Sequence, residues 1–383
     1  MDFSFVTVPA SIVILTVTAS WIFFLVSSIW YKQLSPGNLD ETIFFSVIIP
    51  AHNEEKVIQH IIDAFLSQVY ENLEVIVVCH NCTDKTFNIA NEVKDSRLKV
   101  LKLETASSGK ALALNEGLKH AKGDVIVQMD ADNTVNQDFL LMAVRYFSQL
   151  TIEAIQVRIA TKNANFNLLT KLQQLEYEMF GITYWEGRSA IGQSCTIGGT
   201  GVMFRRSVLE AVGGWDNELI EDYDLYCKLS GKTIKVMYAS DIECYDEKPP
   251  YWSTLICQRA RWIRGHFAIM KKRIFEQSSI FDFIYMISPL FYVAWYCCSF
   301  LAVASLLGAN ISYWYVPAYT WMLSLIVLYG VFASRLIKRK MYSDLLYLPA
   351  YFIFSFHWLI AFLKSLTIKA WSETKTEHGY VTT

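Results

Sequence analysis

Apolar and polar positions divide the chain into three parts. From residue 8 to residue 30 there is no charged side chain, and a helix of that length spans a hydrocarbon core of about 30 Å. Between about Asp40 and Glu247 apolar runs alternate with polar, acidic stretches, and beyond residue 280 three more apolar runs follow at about 281–307, 316–333 and 345–363. This pattern predicts a water-soluble middle held between membrane segments.

Within the middle part, apolar runs at 44–50, 73–78, 98–103 and 124–130 read as strands. Val57, Ile61, Ile62, Phe65 and Leu66 share one face of a helix between the first two, and a second helix opens near Lys110 and ends by Gly123. Buried strands alternating with helices predict an α/β domain whose parallel sheet is covered on both faces. Further on, the pattern predicts a helix at 137–150, a strand at 154–159 and a long helix from 168 to about 187. A glycine-rich loop at 192–201 then feeds a short strand at 202–204. The segment 261–273 alternates Trp262, Ile263, Phe267, Ile269 and Met270 with Arg264, Lys271, Lys272 and Arg273, the pattern of a helix lying in a lipid interface. The expected organisation is an anchor at 1–32, a catalytic domain at 33–255, an interfacial helix at 256–280, membrane segments at 281–365 and a tail at 366–383.

Charge sets the orientation. The start, Met1-Asp2-Phe3, lacks the basic residues of a cleaved signal, so the first run is expected to stay as an anchor. Arg335, Lys338, Arg339 and Lys340 mark a cytoplasmic loop, which places the middle domain in the cytosol and the protein in the plasma membrane. One further crossing would leave Lys364, Lys369 and Lys375 outside. Pro349 interrupts that last run, and the expectation is a re-entrant or interfacial segment.

Composition narrows the class. The 383 residues are 53% hydrophobic with a net charge of -2, too apolar for an ordinary soluble enzyme, and no basic block interleaved with aromatics marks a nucleic-acid surface. Of eight cysteines only Cys79 and Cys82 form a CxxC, with no second pair or nearby His at the spacing of a zinc finger.

The chemistry gathers at strand ends. The fourth strand stops at Asp130-Ala131-Asp132, which puts two carboxylates in the crevice where open α/β sheets bind ligands. Hard oxygens so placed suit Mg²⁺ or Mn²⁺ carrying a diphosphate. The first strand exits into Pro50-Ala51-His52-Asn53-Glu54 and the second into Cys79-His80-Asn81-Cys82-Thr83-Asp84, a polar crevice suited to a nucleotide. Asp84 is placed to accept from a base N–H, Asn53 and Glu54 to hold ribose or base, and Lys110 to face phosphate. Glu221-Asp222-Tyr223-Asp224 reads either as a catalytic cluster or as a solvated helix start favoured by the helix dipole. Gly198, Gly199 and Gly201 either shape an acceptor site or permit a tight turn.

With Gln258-Arg259-Ala260-Arg261-Trp262, a QxxRW, four spaced motifs are complete: Asp84, Asp130-Ala131-Asp132, Glu221-Asp222 and QxxRW. In this order the chain resembles the family-2 inverting glycosyltransferases of GT-A fold, and among them the membrane-embedded β-glycan synthases. The resemblance implies a GT-A domain with a mixed, mainly parallel sheet, flanked by transmembrane and interfacial helices. It implies Asp222 as base, Asp132 on the metal, Asp130 near the donor sugar, and Glu221, Gln258, Arg261 and Trp262 as an acceptor and diphosphate platform. Trp371, Thr374 and Lys375 resemble the segment that gates such sites. The expected activity moves a hexose or N-acetylhexosamine from a UDP-sugar to a growing β-linked polysaccharide. Transfer to a lipid-linked acceptor and a non-catalytic sugar-nucleotide-binding subunit are the alternatives, and a homo-oligomer is left open.

Overall fold

The computed structural model describes residues 4–289, 295, 296, 299, 307 and 315–368. The chain enters through α1 (Ser4–Ser27), 24 residues without a charge. The middle domain then runs β1 (Phe45–Ala51), α2 (Ile58–Leu66), β2 (Leu73–His80), α3 (Thr86–Glu92), β3 (Leu98–Leu103), α4 (Lys110–His120), β4 (Val125–Gln128), β5 (Thr134–Val135), α5 (Phe139–Phe147) and β6 (Ala154–Thr161). It continues through α6 (Leu168–Phe180), a π-helical stretch (Gly181–Gly187), α7 (Arg188–Ala190), β7 (Val202–Arg205), α8 (Arg206–Val212), α9 (Glu221–Gly231), β8 (Val236–Asp246) and α10 (Trp252–Arg273). After it come the apolar helix α11 (Ile280–Pro289) and then α12 (Tyr315–Lys338), α13 (Leu348–Ser355) and α14 (His357–Ser365).

Eight strands form one sheet in the order β3-β2-β1-β4-β7-β6-β8-β5. The pairs β1·β2, β1·β4, β2·β3 and β6·β8 are parallel, while β4·β7, β6·β7 and β5·β8 are antiparallel. The sheet is therefore mixed and mainly parallel. Its centre is dry: Val47, Ile48, Ile49, Val75, Ile76, Val77, Val125, Ile126 and Val127 have no exposed surface. Burial on both faces explains why these strands read as unbroken apolar runs rather than alternating ones.

Three sequence expectations change in detail. Strand β8 and the short β5 had no counterpart in the pattern; β8 carries Ser240-Asp241 in its middle, and its register against β6 shifts between Val157 and Arg158. The long helix expected to about 187 is α-helical only to Phe180 and then widens into the π-helical turn. The basic end of α10 faces the protein as well as its surroundings. Arg273 bonds Asp224 at 2.5 Å and Asp216 at 2.9 Å, and Lys272 reaches Asp216 and Glu218 at 2.8 and 2.9 Å.

Two stretches, Trp321–Lys338 and Tyr342–Ser365, are long and apolar enough to cross a membrane. In the second, Pro349 lies in the first turn of α13, where a missing N–H leaves no helix bond unmade, and the turn at Phe356 separates α13 from α14. Helix α14 packs along α10, with Phe267 against Phe362 and Trp262 against Trp358.

Candidate active site

A polar cleft of about 210 Å³ opens at the carboxyl ends of β1, β2 and β4, where the chain can reverse without obstructing the sheet. Pro50, His52, Glu54, Lys110, Asp130, Asp132, Glu221, Asp222, Gln258, Arg261 and Trp262 all line it. Sequence spacing places none of these together by itself. Strand register brings in the first loops, α4 presents Lys110 from its first turn, α9 presents Glu221 and Asp222 from its first turn, and α10 closes the far side.

Asn53 and Asp84 are not in the lining. Asn53 donates to Thr83 Oγ1 at 3.1 Å and accepts from Thr83 N at 2.7 Å. Asp84 accepts from Thr86 N at 3.0 Å, Thr86 Oγ1 at 2.6 Å and Glu55 N at 3.2 Å. These side chains join the loops after β1 and β2 and satisfy backbone donors, as Asx turns do. Trp371, Thr374 and Lys375 lie outside the described residues.

Lys110 does not stand open toward a phosphate. Its Nζ lies 2.5 Å from Asp130, 3.3 Å from Glu221 and 2.9 Å from the Gly199 carbonyl. Burial draws its pKa down, but Asp130 and Glu221 outweigh it and the net shift is upward, so Lys110 stays charged. It ties the strand-end pair to the α9 carboxylates.

Asp222 is the most informative member. Burial, and then the neighbouring Glu221 carboxylate, raise its pKa to about 6 against the opposing pull of Lys110. Burial raises Asp130 to about 6 as well, with Lys110 opposing and Asp132 adding to the rise. A carboxylate tuned toward neutrality in a cleft is suited to take a proton. Glu221 is 5% exposed and Asp224 is fully buried, so the cluster is a helix start without being a solvated one. Gly199 holds φ at +80°, and a Cβ there would stand 2.8 Å from Asp222 Oδ2. Both its backbone angle and its closeness to the carboxylate require glycine.

A network with no assigned role in the sequence reading fixes this geometry. Trp215 Nε1 donates to Gln128 Oε1 at 2.9 Å, and Gln128 Nε2 donates to the Gly199 carbonyl at 2.7 Å. The Asp130 amide donates to Asn133 Oδ1 and Thr200 Oγ1 at 3.0 and 3.1 Å. The detectable signal was Gln128, a polar residue at the end of an otherwise apolar strand. Asp246, Glu247, His80 and Asn81 also line the cleft. Asp246 and Glu247 lie at the end of β8 and just beyond it, the strand absent from the sequence pattern.

On α10, Arg261 is half-buried and donates from Nη1 to the Leu219 carbonyl at 2.9 Å, while its buried Nε has no partner. Burial lowers its pKa despite Glu221, Asp222 and Asp130. Gln258 accepts from Arg259 at 2.6 Å. Arg259 is fully buried, 4.0 Å from the Trp262 ring centre and paired with Glu176 at 2.6 Å. Glu176 also accepts from Trp358 Nε1 at 2.8 Å. The guanidinium–carboxylate pair thus sets the planes of Trp262 and Trp358.

Behind the cleft lies a second cavity, of about 350 Å³. It is walled by aromatic and aliphatic side chains of α1, α6, the π-helical stretch, α9, α10, α11, α12, α13 and α14, among them Trp21, Trp185, Tyr223, Leu328, Phe352 and Trp358. Tyr177, Gly198, Ile220, Asp222 and Trp262 line both cavities. The two spaces adjoin along these five residues, of which Asp222 is the one that carries a charge.

The profile described as "Glycosyltransferase like family 2" matches residues 43–265. A probable glycosyltransferase, YdaM, of Bacillus subtilis is 29% identical over 87% of this chain and 84% of its own length. A beta-monoglucosyldiacylglycerol synthase of Nostoc is 35% identical over 62% of this chain and 51% of its own. A poly-beta-1,6-N-acetyl-D-glucosamine synthase of Staphylococcus aureus is 26% identical over 62% and 58%. This chain thus spans little more than half the length of the latter two. A mannosyltransferase structure from Pyrobaculum calidifontis, in complex with GDP-Man and Mn²⁺, superimposes with a TM-score of 0.61 at 22% identity, covering 94% of this chain and all of that one. The chain belongs to the glycosyltransferase family 2 and is a glycosyltransferase with a GT-A domain.

Proposed function

We propose that this protein is a membrane-bound inverting transferase that moves a hexose or N-acetylhexosamine from a UDP-sugar to a lipid acceptor entering through the apolar chamber. The observation that carries the reading is that the polar cleft and the apolar chamber adjoin along residues that include Asp222. A donor held in the cleft and an acceptor held in the chamber would bring their reacting atoms together at that carboxylate.

The acceptor hydroxyl oxygen attacks the anomeric carbon from the face opposite the leaving group, its proton passes to Asp222, and the bond to the diphosphate breaks. Arg261 stands at the donor side with an unpaired buried Nε, a position suited to a diphosphate oxygen. The donor set also fits a divalent metal. Among the described residues no three His, Cys, Asp or Glu side chains form a cage, and Mg²⁺ or Mn²⁺ needs only one or two carboxylates when phosphate oxygens and water complete its shell. Asp132, on the wall of the cleft, would hold it. When bound, such an ion neutralises charge on the departing diphosphate.

The lining of the chamber reverses the order of the two acceptor readings, since hydrocarbon is better matched by it than a hydrated polymer is. The Nostoc relative is named for a glucosyldiacylglycerol product, in keeping with this. A growing glycan is the second reading, supported by the paired Trp262 and Trp358 rings, 6.5 Å apart, on which sugars can stack. Membrane insertion through α1 and α12, with the catalytic domain cytosolic, belongs to both.

Protein purified into nanodiscs and given labelled UDP-sugars and a lipid extract is expected to place one sugar on an organic-soluble product. Labelled polymer formed without added lipid would overturn the lipid reading. In Asp132→Ala, Mn²⁺-dependent donor binding is expected to weaken by more than about tenfold in calorimetry; unchanged binding would remove Asp132 from the metal.

A further inference from the structure

Asp282 is a buried carboxylate to which the transfer as described gives no part. It stands near the start of the apolar helix α11, in the segment that joins α10 to α12, and is 4% exposed. One of its oxygens accepts from the Tyr226 hydroxyl at 2.5 Å and from Arg188 Nη2; the other accepts from Ser230 Oγ at 2.6 Å. Arg188 is itself fully buried, and it donates further to the carbonyls of Ser194 and Phe281 at 2.8 and 3.3 Å. Buried charges persist when they are paired and hydrogen-bonded. Here the partners come from three elements, α7, α9 and α11, so one carboxylate joins all three.

These contacts reach Asp222 through α9. Tyr226 and Ser230 follow Asp222 at one and two turns along that helix, on the row of neighbours that recurs every four residues. Helix α11 grips the same region by packing. Tyr285 sets its ring edge-on to Tyr223 and Tyr226, with centres 5.7 and 6.2 Å apart. The Met286 carbonyl accepts from His266 Nε2 at 2.9 Å, and the His266 ring stacks on Tyr223 at 4.2 Å. Arg273 of α10 ties α9 at Asp224, and Asp282 adds a second hold from a different element. Asp282 lines neither the cleft nor the chamber, so contact with a ligand does not account for it.

We infer that Asp282, paired with Arg188, is a positioning residue for the transfer: it fixes α9 against α11 and thereby the place of Asp222 at the cleft. The inference rests on Asp222 being the base. It makes the seating of α11, a segment outside the catalytic motifs, a condition for full activity.

The experiment follows UDP release from labelled UDP-glucose and UDP-N-acetylglucosamine by the full-length protein in nanodiscs supplied with a lipid extract. Asp282→Asn, Tyr226→Phe and the paired change Arg188→Met with Asp282→Leu are each compared with the unaltered chain. Asp282→Asn leaves a buried guanidinium without its counter-charge. Where it fails to fold, the paired variant decides, since replacing both members of a buried ion pair by apolar side chains is often neutral for stability. If neither charge variant folds, Tyr226→Phe, which removes one hydroxyl and no charge, carries the comparison.

A displaced base is expected to lower kcat by up to about a hundredfold in the charge variants, and less in Tyr226→Phe, with donor KM little changed. The acid limb of the pH profile distinguishes positioning from a loss of stability. Burial, and after it Glu221, raises the Asp222 carboxyl to about 6 against Lys110 and Arg261. A loosened α9 admits water to that carboxyl, so the limb should move to lower pH, toward the ordinary carboxylate range. Unaltered kcat in the folded variants, or a lowered kcat with the limb unmoved, overturns the inference. Asp222→Asn, measured alongside, separates the two levels. Full transfer by that variant overturns the base assignment, whereas its inactivity beside unaltered Asp282 variants overturns the positioning role alone.

Discussion

The polar cleft and the apolar chamber share Asp222, yet they are assembled by opposite means. The cleft takes its charged groups from a few short motifs, Asp130-Ala131-Asp132, Glu221-Asp222 and Gln258 to Trp262, and ties them with ion pairs such as Lys110–Asp130. The chamber takes single side chains from elements as far apart as Trp21 and Leu359. On the proposed reading, function in the cleft is concentrated in groups that no neighbour can replace, and in the chamber it is spread over many contacts, each worth little and each tolerant of change.

That contrast can be broken first at its shared point. Asp222→Asn keeps the shape of the cleft and removes the proposed base, so kcat should fall by about 10²- to 10⁴-fold with nucleotide affinity little altered. Single-turnover transfer and calorimetric UDP binding, measured together, check this, and full transfer would sink the assignment. Next comes pH. On the proposed assignment Asp222 serves as base only when ionised, and burial with the Glu221 charge raises its pKa to about 6; kcat/KM should then be flat above that value and fall up to about tenfold per unit below it. A limb centred near 4 would show that burial does not tune the site. The smallest effect is expected in the chamber, where Leu328→Trp fills space without touching a charge. Acceptor KM should rise by about three- to tenfold while donor hydrolysis persists, at a stability cost of about 1–3 kcal/mol for overpacking. A loss of donor hydrolysis as large as that of Asp222→Asn would erase the distinction between the two regions.

The same contrast explains what could be read in advance. The central strands and the acidic motifs were legible because a buried parallel sheet writes itself as apolar runs, and its ligand loops must follow them. Strand β8 was not, because Ser240-Asp241 and the register shift at Val157/Arg158 break its periodicity. Polar loop residues were visible as polar, but their partners were not. Asp84 satisfies the amides of Glu55 and Thr86, and Lys110 neutralises carboxylates. Which donor a carboxylate meets depends on register and loop closure rather than on local sequence. The chamber left no trace, since Trp21, Trp185 and Trp358 each look like ordinary apolar positions until the helices are packed.

Where α12 ends, Arg335 and Arg339 bond Glu186, each pair partly or wholly buried, at 2.5 and 2.6 Å, and Arg339 also meets Glu178, which in turn holds Arg158 of β6 at 2.6 Å. Withdrawing one side of such a cluster would strand charges out of water, at about 3–5 kcal/mol for each broken pair. Helix α12 therefore cannot swing independently of the catalytic domain as a tether would. It is latched to the sheet at one end while Leu325, Leu328 and Tyr329 wall the chamber further along it. On the proposed reading, the depth at which an acceptor would ride beneath Asp222 is thus set by the body that also carries the sheet, and added salt, which screens buried pairs poorly, would leave that depth unchanged.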